Sequence, residues 1–495
     1  MSRSRQTPAS AAPWVPSNPN DPYKYITGFG GQHESEALPG ALPVAQNSPQ
    51  TCPYRTYPES ISGTAFTAPR KENQRVWMYR MVASVAQSKF RPYTKNPYIT
   101  SEFHNVDPTN PGSIKTQDGV FQAPNQTQWS PFKLPGKDEK VDFIDGLKTL
   151  IGAGHPSLRH GIATHIYLAN VGMGKKTFYN SDGDFLIIPQ LGRLDITTEL
   201  GKLSVAPNEI CVIQRGLRFS VELPDGPSRG YVGEIYSSHF ELPDLGPIGA
   251  NGLANPRDFM HPTAWFEHDD SEWELVTKYG GKLFGAKLRG TPYNVLGWHG
   301  NYVPYKYDLQ RFQVVNSVSF DHSDPSIFTV LTCQSSLTGH AYMDFVIFPP
   351  RWGCADWTFR PPYFHRNGMS EFLGLIKGDF GDYKAGHEGQ EIGLFPGGGY
   401  VHTMMGAHGP EAKAFETFAT APLEPGRIGD GSQPFMFESY LQVGYTKWAW
   451  SECGVVQEDY VTDEWGDIRK SFDPTYPGQS HVAQKPAEAQ SKTGA

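Results

Sequence analysis

The sequence predicts a mainly β protein, built from two jelly-roll or β-sandwich units with a few short helices, and three observations carry that reading. The 52 glycines and 42 prolines interrupt the chain every few residues, more often than a helical bundle tolerates. From residue 160 the pattern becomes HGIATHIYLAN, DFLIIPQ, RLDITTEL, KLSVAP, EICVIQ and LRFSVEL, short β-prone runs parted by Gly, Pro or Asn that read as an antiparallel meander. The third observation is an internal echo. DGDFLIIPQLG at 182–192 reads like SEFLGLIKG at 370–378, and PNEICVIQRGLRF at 207–219 takes the place of FPGGGYVHTMMGAH at 395–408.

In chain order, residues 1–22 (MSRSRQTPASAAPWVPSNPNDP) lack the apolar run of about 7 to 15 residues that a secretory signal needs, and their prolines oppose an amphipathic helix. They are expected to form a disordered tail. KVDFIDGLKTLIGA at 140–153 is expected to form one short helix before the meander begins. GPIGANGLANPRDF, on the crossover between the rolls, is glycine-rich but has no GxxxxGK(S/T) pattern, so it is read as an ordered loop without a phosphate role. The C-terminal GQSHVAQKPAEAQSKTGA is polar and reads as a second flexible tail. The expected division is 1–22 tail, 23–286 N-terminal β-sandwich domain without metal, 287–450 C-terminal domain with the metal site, and 451–495 extension and tail.

Composition excludes several classes. With 43 basic against 51 acidic residues and no basic block, nucleic acid is not an expected partner. No apolar run approaches the roughly 18 residues of a membrane span. Cys52, Cys211, Cys333, Cys354 and Cys453 form no CxxC pair and are odd in number, which points to a reduced, cytoplasmic protein.

Chemistry concentrates between 365 and 408, where His365, Glu371, His387, His402 and His408 fall within HRNGMSEFLGLIKG, a polar loop and GLFPGGGYVHTMMGAHGP. His365 and Glu371 are six apart, which fits no single helical face. Along a straight strand they would be roughly 20 Å apart, at about 3.3 Å per residue. The chain must therefore double back, and Asn367-Gly368 tolerates the positive φ of a tight turn. His402 and His408 repeat the spacing with Gly406 between them. Two imidazoles and a carboxylate on one side of a metal leave positions open opposite, as non-haem Fe(II) oxygenases require. Catalytic zinc uses the same ligand types.

At these residues the chain resembles the homogentisate 1,2-dioxygenases. The resemblance rests on HRNGMSEFLGLIKG and GLFPGGGYVHTMMGAHGP, on LGWHGNYVPYKY (296–307), ELPDLGPIGANGLANPRDF (241–259), YNSDGDFLIIPQ (179–190) and SFDHSDPSIFTVLT (319–332), and on the opening YITGFGGQHESEALPGALPVAQNSPQTCPY. It covers residues 23 to 450. It implies cupin-like rolls and Fe(II) held by His365, Glu371 and His408, with His299 as proton acceptor and His402 as a further pocket histidine. The implied reaction opens the ring of homogentisate (2,5-dihydroxyphenylacetate) with O2, both oxygen atoms entering 4-maleylacetoacetate, in tyrosine and phenylalanine breakdown. A homo-oligomer, trimer or hexamer, is implied as well.

One stretch departs from the family. Its substrate-contacting tyrosine usually stands in G-x-Y-(D/E)-A-K, whereas this chain reads GDFGDYKAGHEGQEIGLFPGGG. By distance from Glu371 that place holds Phe380, and Tyr383 takes it if the longer loop shifts the register. His408, Phe380 and Tyr383 are thus the expected substrate contacts. Two alternatives follow: a dioxygenase for a related hydroquinone such as a gentisate-like acid, or a cupin-like protein without catalysis. In the echo, Asp184 corresponds to Glu371 and Arg218 lies where His408 would be, so one metal site, in the C-terminal half, is expected.

Overall fold

The computed structural model describes residues 15–44, 51–103, 120–250, 252–314, 325–352, 363–385, 391–421 and 427–476. Its centre is a ten-stranded sheet in which Asp184–Leu191 lies between Glu209–Ile213 and Ser228–Ile235, followed outward by His160–Ala169 and Leu147–His155. The run DFLIIP has no polar alternation because both faces of this strand are covered. Phe185 and Ile187 enter a core shared with Phe178, Phe219 and Val221 of a seven-stranded sheet. Leu186 and Ile188 enter another, shared with Phe345, Phe372, Phe435 and Phe437 of a six-stranded sheet. Strands buried on both faces read as continuous apolar runs.

The six-stranded sheet is the C-terminal layer, ordered Thr329–Gln334, Ala341–Ile347, Pro434–Ser439, Ser370–Leu375, Gly399–His402, Thr127–Trp129. Tyr231 fastens it to the central sheet. Its hydroxyl donates to the Gly398 carbonyl at 2.6 Å, and its ring meets Phe435 edge-on at 4.9 Å. The two halves therefore share a core. A four-stranded sheet, His33–Glu36, Val295–Gly300, Arg75–Arg80, Tyr57–Ser62, lies on the other side, its buried Val76, Met78 and Trp298 joining the core of the seven-stranded sheet.

The helix expected over 140–153 is not formed. Leu147–His155 is a strand paired antiparallel with His160–Ala169. Its apolar residues are buried on both faces, so neither a period of two nor one of 3.6 shows in the sequence. Gly146 marks its start: a Cβ there would stand 2.0 Å from the Leu168 carbonyl oxygen, an approach only glycine permits.

The strands Val295–Gly300 and Tyr305–Asp308, beyond residue 286, pair with N-terminal partners, and Gly444–Thr446 returns to the ten-stranded sheet. Glu241 bridges Thr332 and Leu253 bridges Gln313 along the crossover. Ser17 and Asp21, tail residues by composition, are fastened to the body: Ser17 Oγ donates to Asp308 at 2.6 Å, and Asp21 pairs with Lys306. Among the described residues the α-helix Ala412–Thr420 lies between the strands Gly399–His402 and Pro434–Ser439, and the α-helix Tyr460–Trp465 comes after the last strand. Among the described residues no helix is long and apolar enough to cross a membrane, and the described cysteines, Cys52, Cys211, Cys333 and Cys453, are free.

Candidate metal centre

The equal six-residue spacings are two antiparallel segments meeting. His365 bridges His408, with both backbone N–H groups donating across, at 2.8 and 3.0 Å. Glu371 lies opposite His402. Between these two contacts Met405 N–H donates to the Asn367 carbonyl, and the side chains at either end converge. The donor atoms of His365, Glu371 and His408 all lie within 4.8 Å of one another.

The bend differs from the expected turn. Neither Asn367 nor Gly368 has a positive φ; the left-handed residue is Met405, φ 59°, whose N–H donates to the Asn367 carbonyl at 2.7 Å. Asn367 contributes its side chain instead. Its Oδ1 accepts from Met369 N–H at 3.1 Å, and its Nδ2 donates to Glu371 at 2.7 Å and to Glu438 at 2.5 Å. Gly406 is needed for closeness rather than for its φ, since a Cβ there would meet Gln126 Nε2 at 2.6 Å and Thr403 Oγ1 at 2.7 Å.

The imidazoles are oriented for ligation. His408 Nδ1 lies 2.9 Å from the Gly406 carbonyl and His365 Nδ1 lies 3.4 Å from that of Tyr363. A carbonyl only accepts, so each Nδ1 carries the proton and each Nε2 presents a lone pair, the tautomer used by metal-bound histidine. His408 Nε2 is buried without a hydrogen-bond partner, 3.2 Å from Glu371 Oε2, and a cation between them would satisfy both. The donor set suits a divalent transition metal. Burial opposes the Glu371 charge, yet His365, His402 and His408 outweigh it and hold the carboxyl far below its usual range. The contact with Glu371 in turn raises His365, against burial.

His402 stands beside this group. Its Nδ1 faces Glu371 Oε2 at 3.6 Å, and its ring centroid is 4.1 Å from that of His408. Burial lowers its pKa to about 4, so it is neutral. Glu438, across from Glu371 on the neighbouring strand, is pushed up to about 7, first by burial and, despite Asn367, further by the Glu371 and Asp344 charges.

His299 is placed elsewhere. It lies opposite Trp77 on the outer face of the four-stranded sheet, stacked at 6.1 Å on Tyr79. It lines a groove of about 450 Å³ whose wall includes none of His365, Glu371, His402 and His408. Phe380 and Tyr383 belong by their backbone to a two-stranded ribbon, Phe380–Ala385 with Glu391–Leu394. Their side chains, and His387 altogether, lie outside the described residues.

At the place of the echo, Asp184 is fully buried and already neutralised. Arg215 donates to Oδ1 from its backbone N–H at 3.0 Å, and His239 Nδ1 lies 2.6 Å from Oδ2. The arginine expected there, Arg218, turns instead to the Ser84 carbonyl and Gln87. An imidazole, His239, therefore stands beside Asp184, bound to that carboxylate and to the Gly63 carbonyl at 3.0 Å.

Sequence comparison gives this geometry its family. The N-terminal and C-terminal profiles of homogentisate 1,2-dioxygenase match residues 24–309 and 310–472. The chain belongs to the homogentisate 1,2-dioxygenase family. It is 52% identical over 457 residues to the homogentisate 1,2-dioxygenase of Drosophila melanogaster, spanning 92% of this chain and 99% of that one. Its identity is 52% over 456 residues to the mouse enzyme and 51% over 456 to the human one, covering 97% of each.

In this homogentisate 1,2-dioxygenase family member the site holds residues that no motif announced. Tyr460 and Trp465, on the short helix after the last strands, cover His402: the Tyr460 hydroxyl lies 3.1 Å from Nε2, and the Trp465 ring centroid lies 6.2 Å away. Trp465 Nε1 also donates to the Pro410 carbonyl at 3.2 Å. Glu438, within PFMFES, carried no signal beyond a polar residue in an apolar strand. That signal is usable, because a buried carboxylate needs a partner.

Proposed function

We propose that this chain opens the ring of homogentisate with O2, giving 4-maleylacetoacetate, with Fe(II) held by His365, Glu371 and His408. The convergence of those three donor groups carries the reading, beside family membership. Bound there, Fe(II) supplies coordination positions for substrate and O2 and an electron that zinc cannot give.

The chain's own residues do the rest. Tyr363 and Gly406 carbonyls keep the His365 and His408 Nε2 lone pairs free. Asn367 fixes the Glu371 carboxylate. His299, an imidazole facing its groove, is suited to take a hydroxyl proton from the substrate, an effect typically worth about 10² to 10⁴ in rate. Because its groove lies on the sheet remote from the six-stranded layer, His299 would serve the metal group of a second copy, which makes a homo-oligomer, trimer or hexamer, part of the proposal. Asp184 is occupied by Arg215 and His239, which supports one metal per chain and an assembly role for the N-terminal roll. Free cysteines fit a cytoplasmic location. The place of the family's tyrosine falls to Phe380 by distance from Glu371, or to Tyr383 if the longer loop shifts the register, which favours testing a second substrate, a gentisate-like acid.

The experiment is oxygen uptake by anaerobically Fe(II)-reconstituted protein given homogentisate or gentisate, beside His365→Ala and zinc-loaded controls. Uptake with homogentisate and a product absorbing as a maleyl ketone, lost in both controls, is expected. No uptake with homogentisate from protein that binds one iron per chain would overturn the assignment.

A further inference from the structure

The groove that carries His299 has a charge pattern that the proton-acceptor role leaves unexplained. Strand alternation puts Trp77 and His299 on the outer face of the four-stranded sheet, directly opposite each other. The intervening Val76, Met78 and Trp298 point into the core. Arg75 starts the same strand on that outer face, and Arg70 reaches the groove from the preceding turn. Gln32 and Asn73 complete its polar wall, and no acidic side chain lines it. Glu34, opposite His299 on the strand His33–Glu36, is outside the lining.

Two guanidinium groups therefore share one small concavity without a compensating carboxylate. Arg75 is held in place: Nε donates to Asn73 Oδ1 at 3.0 Å, and its Cζ lies 5.9 Å from the Phe66 ring centre. Among the described residues neither Arg70 nor Arg75 forms an ion pair with an acid. Unpaired cations in a groove raise the local concentration of anions, and the guanidinium fork matches a carboxylate in two parallel hydrogen bonds. Trp77, 38% exposed, offers an aromatic face beside them. Its volume, about 450 Å³, lies in the range of small-molecule sites, roughly 300 to 1,000 Å³.

We infer that Arg70 and Arg75 form the subsite for the side-chain carboxylate of an aryl-acetate substrate, placing its ring against Trp77 and a ring hydroxyl at His299. This rests on the ring-opening reading above and deepens it: the arginines select a hydroquinone bearing an acid over a neutral one. Because they act on a group remote from the reacting bonds, their energy appears as uniform binding, in KM rather than kcat.

The test compares wild type, Arg70→Gln, Arg70→Lys and Arg75→Gln as Fe(II) enzymes with homogentisate and with its methyl ester, which keeps the hydroquinone and loses the charge. Arg70→Gln is the cleaner variant, because Arg75 also packs on Phe66. Each glutamine variant should raise KM for the acid by about tenfold or more, the scale of one lost charged hydrogen bond, with kcat and the ester's KM unchanged. Arg70→Lys should restore part of the loss. Equal shifts for acid and ester, or no shift for either, would overturn the inference. Anaerobic calorimetry of acid and ester on metal-free protein reads the same contrast without turnover. A wild type that opens neither compound but still binds the acid better than the ester through Arg70 would sink the ring-opening reading and keep the subsite.

Discussion

Tyr460 covers His402 and bonds to it, its hydroxyl 3.1 Å from His402 Nε2. Burial lifts the Tyr460 phenol well above its ordinary range, so it stays protonated and donates. His402 then carries its own proton on Nδ1, the nitrogen that faces Glu371. Tyr460→Phe removes that instruction while keeping the packing against Trp465 at 5.6 Å. Activity should fall by about 10- to 100-fold, the scale of a lost hydrogen bond that orients an imidazole at a metal site, with metal content unchanged. Steady-state kinetics and metal analysis on the same preparation check this.

Asn367 joins two carboxylates on adjacent strands, the buried Glu371 and the half-buried Glu438. Asn367→Ala leaves them facing each other without a shared donor and frees Glu371 to turn. Metal affinity should drop by roughly 10- to 100-fold, read by competition with a chelator. Unaltered affinity would show that the amide does not position the ligand.

Lys278 sits at the heart of the N-terminal layers with no exposed surface. It donates to Asp182 and Glu234, each at 2.8 Å, while Glu234 also meets His165 at 2.9 Å. Burial works against the lysine's charge, and the two carboxylates outweigh it. Lys278→Met strands both acids and should destabilise by about 3 to 5 kcal/mol. Urea unfolding measures it, and adding Glu234→Gln to the same chain should recover part of the loss.

The stability that His261 contributes should be lost in mild acid. Burial, aided by His33, lowers His261 from 6.5 to about 4, against the Gly28 and Pro304 carbonyls that favour its protonated form. The unfolded chain therefore takes up this proton first, so the contribution is complete above pH 6.5 and lost as pH falls from 6.5 to 4. It is on the order of 3 kcal/mol. Burial also lowers His165, which adds loss in the same direction. Urea titrations of metal-free wild type and His261→Asn across that window isolate it: the stability difference between the two should change by that amount from pH 6.5 to 4, while Glu438, raised to about 7, titrates with the opposite sign in both.

The sequence determined the class of the fold and where a metal-binding group would gather. Glycine and proline between short β-prone runs required strands joined by tight turns. His365, Glu371, His402 and His408 stood out because imidazole and carboxylate are costly to bury and because their spacing fits no helix, and the family resemblance singled out three of them. Only the tertiary structure decided that Leu147–His155 is a strand, since a segment covered on both faces carries no readable period. It also decided that Met405, not Asn367 or Gly368, takes the left-handed turn, that Arg215 rather than Arg218 neutralises Asp184, and that Tyr460 roofs His402. These outcomes depend on which surface of the chain comes to lie against which. That is fixed by contacts between residues such as Tyr460 and His402, 58 positions apart, which local pattern does not encode.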